Sequence, residues 1–145
     1  ADEVRAMKQR VENERADPAT RGCDLKLGPG GLSDVEWLVQ RYQLCYGHAR
    51  PALRETNTLA ALAALEGEGL LPPAEAAVLR EGYCFQTRLR NLMTLRSGRQ
   101  SALLPEGDED QRALARAMDL DNAGELLEAF SHHRQAIRQV FLARF

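Results

Sequence analysis

The chain has little that would tie it to a membrane, a metal or an oxidising compartment. No run of about 18 apolar residues occurs, so no bilayer-spanning helix is predicted, and no signal-peptide pattern opens the sequence. Cys23, Cys45 and Cys84 are odd in number and widely spaced, without a Cys-x-x-Cys pair. That pattern argues against a disulfide framework and a zinc site, and suits a reducing cytoplasm. Charge of one sign is also missing: 19 Lys and Arg face 21 Asp and Glu, a formal net charge of −2. Nothing global draws such a chain to nucleic acid or anionic lipid, and neither partner is expected. Strand signals are nearly absent, since outside Cys23–Leu27 the apolar positions recur at spacings of three and four.

What is present reads as one all-α domain over residues 1–145, an irregular bundle of five to six helices. Hydrophobic residues at 44% and charged residues at 28% are enough to fold a globular core. A first helix is predicted over Asp2–Arg15, with Val4, Met7 and Val11 as its stripe, ending before Asp17-Pro18. The second runs from Leu32 or Ser33 to Tyr46, with Val35, Leu38, Val39, Tyr42, Cys45 and Tyr46 on one face and Trp37 and Leu44 on the other. A third follows the cap candidates Thr56-Asn57-Thr58 and stops at Gly67 or Gly69; a fourth starts at Pro72-Pro73 and reaches Arg96 before Gly98. Asp108–Met118 is the fifth, and Ala123–Phe145, with the stripe Leu126, Leu127, Phe130, Ile137 and Phe141, is the sixth. Because Ala1 opens the chain almost inside a helical stripe, a piece of a longer protein is expected.

The densest local signal is Asp24–Gln40. Gly28, Gly30 and Gly31 allow positive φ or a close backbone approach, Pro29 stiffens the turn, and Ser33 with Glu36 has the spacing of a capping box. Lys26 precedes the glycines, but GxxxxGK[ST] and a spaced GxGxxG are both missing. Asp34 and Glu36 lie about 200° apart around a helix, so they cannot share a metal or form a close acid/base pair. His132 and His133 diverge, and no HExxH or third ligand accompanies them, so no metal site is expected. His48 has no serine or cysteine nucleophile nearby in sequence. Arg80, Arg88, Arg90, Arg96 and Arg99 form a basic strip, read first as a solvated face paired with acids and second as an anion site. No catalytic residue is assigned.

The run Lys26-x-Gly28-x-Gly30-Gly31-Leu32-x-Asp34-Val35-Glu36-Trp37-x-x-Gln40, followed by Arg50-Pro51-x-Leu53-Arg54-x-Thr56-Asn57-Thr58-Leu59 and Gly69-Leu70-Leu71, resembles the helical domain of the glutamine-synthetase adenylyltransferases and their relatives, the PII uridylyltransferases. Tyr83-x-Phe85-x-x-Arg88-Leu89-Arg90-Asn91 and Val140-Phe141 extend the resemblance over essentially the whole chain. It implies an enzyme dependent on ATP and magnesium that adds AMP to, and removes it from, a tyrosine of glutamine synthetase. The family's signature, a Gly-Ser pair followed by an Asp-x-Asp metal site on a sheet, is missing from these residues, so a preceding nucleotidyltransferase domain is the expected partner, with glutamine synthetase and the PII regulatory protein, and no bound cofactor is expected here. Ser33-Asp34-Val35-Glu36, and an ending near Phe145, resemble the C-terminal, adenylylating half. By this resemblance Lys26, Gly28, Gly30, Gly31, Asp34 and Glu36 face the nucleotide site of the missing domain. Alanine at Lys26 or Asp34 is then expected to lower AMP transfer while leaving this domain folded. The alternatives are the corresponding domain of a PII uridylyltransferase, or a free-standing helical adaptor.

Overall fold

Prolines, glycines and two asparagines, Asn57 and Asn122, punctuate the described residues into six helices, α1 (Asp2–Arg15), α2 (Leu32–Tyr46), α3 (Thr58–Gly67), α4 (Pro73–Ser97), α5 (Asp108–Ala117) and α6 (Ala123–Arg144). The computed structural model describes residues 2–15 and 17–145, with the side chains of all of these but residues 2, 12 and 15. Asn57 caps α3 by accepting from the amides of Leu59 and Ala60, and Pro73 opens α4 where its missing N–H is not needed. Gly98 closes α4 in the left-handed conformation at φ 66°, which a residue with a side chain resists. A 3₁₀ turn at Pro51–Leu53 joins α2 to α3 and was not expected from the sequence. Among the described residues no helix is long and apolar enough to cross a membrane.

Two apolar clusters form the interior. One collects Val35, Leu38, Val39 and Tyr42 of α2 with Leu62 and Leu65 of α3, Leu79 from the first half of α4, and Ile137 and Phe141 from the second half of α6. The other joins Leu89 and Met93 from the second half of α4 to Leu114 of α5, Leu126 and Phe130 from the first half of α6, and Leu25. Helices α4 and α6 therefore run antiparallel and span both clusters. They approach closely at Gly82, where a Cβ would meet Ile137 Cδ1 at 2.6 Å. The short Cys23–Leu27 stretch forms a single antiparallel bridge, Asp24 to Leu103, fixed by Leu25 N–H donating to Ala102 O at 2.8 Å and Leu104 N–H to Cys23 O at 2.9 Å.

Several faces differ from expectation. Met7 is 59% exposed, and among the described residues the buried position of α1 is Lys8. Cys45 and Tyr46 leave the α2 face for solvent, and Leu127 is exposed beside buried Leu126. Trp37 packs partly against the first cluster, so the second side of α2 is half used, whereas Leu44 is exposed. An apolar stripe read at 100° per residue shows which side faces inward, but the neighbouring elements decide how far along the helix it is covered.

Candidate functional site

The glycine turn lies at the waist of the molecule, between the two clusters and against the middle of α6. Gly30 adopts φ 72°, and a Cβ there would overlap the backbone carbonyl of Arg134. A Cβ on Gly28 would overlap the Arg134 guanidinium, and one on Gly31 would come within 2.7 Å of Leu25 O. These three positions need glycine because the turn is pressed onto a helix and onto itself.

The capping box is not formed. Gly31 is the N-cap of α2, with no side-chain cap bond, because Leu32 N–H and Ser33 N–H are taken by Leu25 O (2.8 Å) and Lys26 O (3.0 Å). The helix thus begins before Ser33 can cap it. Asp34, in the first turn, instead reaches back so that Gly30 N–H donates to its Oδ2 at 2.8 Å. Glu36 turns away and accepts from Tyr83 OH at 3.2 Å, with Thr58 Oγ1 3.5 Å from the same phenol oxygen. Burial foremost, with the Glu36 charge adding, pushes the Tyr83 pKa up. The two carboxylates serve different partners, as their spacing requires.

Asp34 is 1% exposed and holds two cations: Lys8 Nζ at 2.9 Å from Oδ1 and an Arg138 guanidinium nitrogen at 3.0 Å from Oδ2. One turn earlier on α6, Arg134 donates to the carbonyls of Pro29 (2.9 Å), Arg21 (3.0 Å) and Gly22, and its guanidinium lies 5.0 Å from the centroid of the Phe130 ring. Burial lowers its pKa, yet a guanidinium stays cationic at any ordinary pH. Gln86 on α4, fully buried, donates to Gly30 O at 2.9 Å. Sequence reasoning missed Lys8, Gln86, Arg134 and Arg138, because nothing local distinguishes a buried cation from a solvated one.

Every amide from Lys26 to Asp34 is occupied internally. Lys26 and Leu27 donate to Asp24 Oδ1, Gly28 to Asp24 O, Gly31 to Gly28 O and Asp34 to Gly31 O, in addition to the bonds of Gly30, Leu32 and Ser33. Pro29 has no N–H to offer. A phosphate-binding loop works by presenting free amides, and this turn presents none. Among the six motif residues the Lys26 side chain is the exposed one. It lines an open cleft of about 560 Å³ with Arg90, Asn91, Thr94 and Leu95 of α4 and the loop residues Gln100, Ser101 and Ala102.

Of the other sequence candidates, Arg90 shares the Lys26 cleft. Among the described residues no three His, Cys, Asp or Glu side chains come together as a metal site. His133 packs on Phe85 with ring centroids 4.6 Å apart, and burial lowers its pKa. In the basic strip Arg80, Arg88 and Arg96 pair with Glu66 (3.4 Å), Asp119 (2.9 Å) and Asp110 (2.8 Å), the solvated-face arrangement expected first.

Comparison with known proteins agrees with the motif. A family model described as GlnD PII-uridylyltransferase matches residues 2–145. A bifunctional glutamine synthetase adenylyltransferase/adenylyl-removing enzyme of Streptomyces coelicolor is 39% identical over 144 residues, covering 95% of this chain and 14% of the relative. The enzyme of the same description from Leifsonia xyli is 49% identical over 107 residues, 71% of this chain and 10% of the relative. That from Mycobacterium avium is 38% identical over 149 residues, 96% and 15%. The chain spans about one seventh of the length of these relatives or less.

Proposed function

The chain belongs to the GlnD PII-uridylyltransferase family, and from that membership we propose that it is the helical domain of the adenylylating half of a glutamine synthetase adenylyltransferase. The carrying observation is the near-complete cover of this chain by enzymes of that description, of which it forms a small part. In this reading the preceding nucleotidyltransferase domain holds ATP and Mg²⁺ and performs AMP transfer to and from a tyrosine of glutamine synthetase, in the cytoplasm and under control of PII. The residues described here do not fit a magnesium ion, since no carboxylate cluster occurs among them and Asp34 already neutralises two cations. They fit nucleotide phosphate only through side chains beside the turn, because the turn has no free amide.

This domain's part is positional. The Arg134 clamp and the Asp34 ion pairs hold the Lys26–Gly31 backbone rigid, and Lys26 extends from it toward the neighbouring domain's nucleotide site. Gly28, Gly30, Gly31, Asp34 and Glu36 keep that backbone in place from behind. The description of the matching family supplies a second reading, the same domain in an enzyme that transfers UMP to PII. Enzyme containing this domain and the one before it is assayed with ATP and glutamine synthetase, and with UTP and PII, as wild type and as Lys26→Ala. AMP transfer that falls with Lys26→Ala at unchanged thermal stability is expected. Transfer only of UMP to PII selects the second reading, and AMP transfer that persists without this domain overturns both.

A further inference from the structure

Arg90 differs from the other arginines of its helix. Arg80, Arg88 and Arg96 each meet a carboxylate within 3.4 Å. Arg90, only half exposed, is ion-paired to no carboxylate among the described residues, and neither is Lys26. Both line the same cleft. Half-burying a guanidinium without an anion is unfavourable unless something of opposite charge occupies the space beside it.

The cleft also has the groups that recognise more than a bare charge. Asn91, Gln100 and Ser101 bring amide and hydroxyl donors to its walls, the Thr94 hydroxyl donates to Arg90 O at 3.1 Å, and Leu95, 81% exposed, and Ala102 add apolar surface. Among the described residues no acidic one lines it. Two of its lining residues are tied down, because Ala102 O accepts from Leu25 N–H at 2.8 Å and Lys26 follows directly after that bridged segment. A volume of about 560 Å³ exceeds the need of a single phosphate and lies in the range of small-molecule sites.

We propose that this cleft binds an oligophosphate, with Arg90 and Lys26 pairing with its charges and Ser101, Gln100 and Asn91 donating to its oxygens. This site lies on the helical domain itself and deepens the reading above, in which Lys26 alone was directed at a nucleotide. It does not depend on AMP transfer, so the two can fail separately.

The chain is titrated with ATP, sodium tripolyphosphate and inorganic phosphate while backbone amide NMR shifts are followed, at low and at raised sodium chloride. Saturable shifts at Lys26, Arg90 and Gln100–Ala102 are expected, with a dissociation constant on the order of 1 mM or below. Tripolyphosphate should match or approach ATP, inorganic phosphate should bind more weakly, and salt should weaken all three. Arg90→Gln and Lys26→Gln should each reduce affinity about tenfold, whereas Arg88→Gln, a paired arginine on the same helix, should leave it unchanged. A requirement for the nucleoside, with tripolyphosphate silent, overturns the proposal. So does absence of saturation, or an equal loss in all three variants, which marks diffuse attraction to a basic surface.

Discussion

Lys8 of α1 and Asp34 of α2 form an ion pair of 2.9 Å in which both side chains are almost wholly withdrawn from water, at 3% and 0% exposure. The same carboxylate receives Arg138 and the Gly30 amide, so one side chain ties α1, α6 and the glycine turn together. Truncating a buried charge strands its partners, and Asp34→Ala is predicted to cost about 3–5 kcal/mol. Lys8→Met leaves Asp34 its other two partners and should cost less, about 1–3 kcal/mol. Urea unfolding of both variants measures this order. The result bears on the expectation that Asp34 could be changed without harming the fold: a loss of AMP transfer in Asp34→Ala would report unfolding as much as catalysis, so Lys26 is the informative position.

Glycine substitutions should have opposite signs at two sites. Gly30→Ala forces a side chain into the left-handed region and against the Arg134 backbone, and should destabilise by more than about 2 kcal/mol. Gly67, the last residue of α3, has open space where a Cβ would go, and Gly67→Ala should stabilise by about 0.5–1 kcal/mol. Paired thermal melts check both. A mild effect at Gly30 would mean that the turn can lift off α6.

These sites divide what the sequence made legible from what it did not. The boundaries of α3 and α4 could be read because Asn57, Pro73 and Gly98 act on backbone groups within a few residues of themselves. The glycine run could be read as a close approach, but not what approaches: Arg134 lies over a hundred residues away, and burial of a guanidinium depends on three carbonyls that only the folded turn assembles. Ser33 and Glu36 have capping-box spacing, yet two backbone bonds to the Leu25–Lys26 segment start the helix at Leu32, and Asp34 holds the Gly30 amide instead. Arg90 shows the same limit on the surface, since its lack of a carboxylate partner emerges only when its helical neighbours are seen to have theirs.

Arg134→Lys should not be conservative. The guanidinium reaches three carbonyls of the turn from one planar group, and an ammonium cannot satisfy the same three directions. A loss of about 2–4 kcal/mol is predicted, concentrated in the loop: amide hydrogen exchange should accelerate at Gly28–Leu32 more than in α3, which Arg134 does not touch. Uniform acceleration across the chain would instead show that the clamp stabilises the whole bundle as one unit.

Acid should weaken this fold in two steps. Burial against Phe85 lowers the His133 pKa below its ordinary 6.5, so the unfolded chain takes up this proton more readily than the folded one. That contribution is fully present above about pH 6.5 and is lost as pH falls through the folded value. Glu75 acts later: its two oxygens accept from Arg144 at 2.7 and 2.8 Å, joining the first turn of α4 to the last of α6, and this bond lowers its pKa below 4.5. Its stabilisation is present above the ordinary carboxylate range and disappears as pH falls through the depressed value. Urea midpoints measured between about pH 7.5 and about pH 5.5 should therefore drop for the wild type and drop less for His133→Gln, while Glu75→Gln should lower the midpoint evenly above about pH 4.5 and flatten the decline below it. An identical slope in wild type and His133→Gln above pH 5.5 would assign the first step to another group.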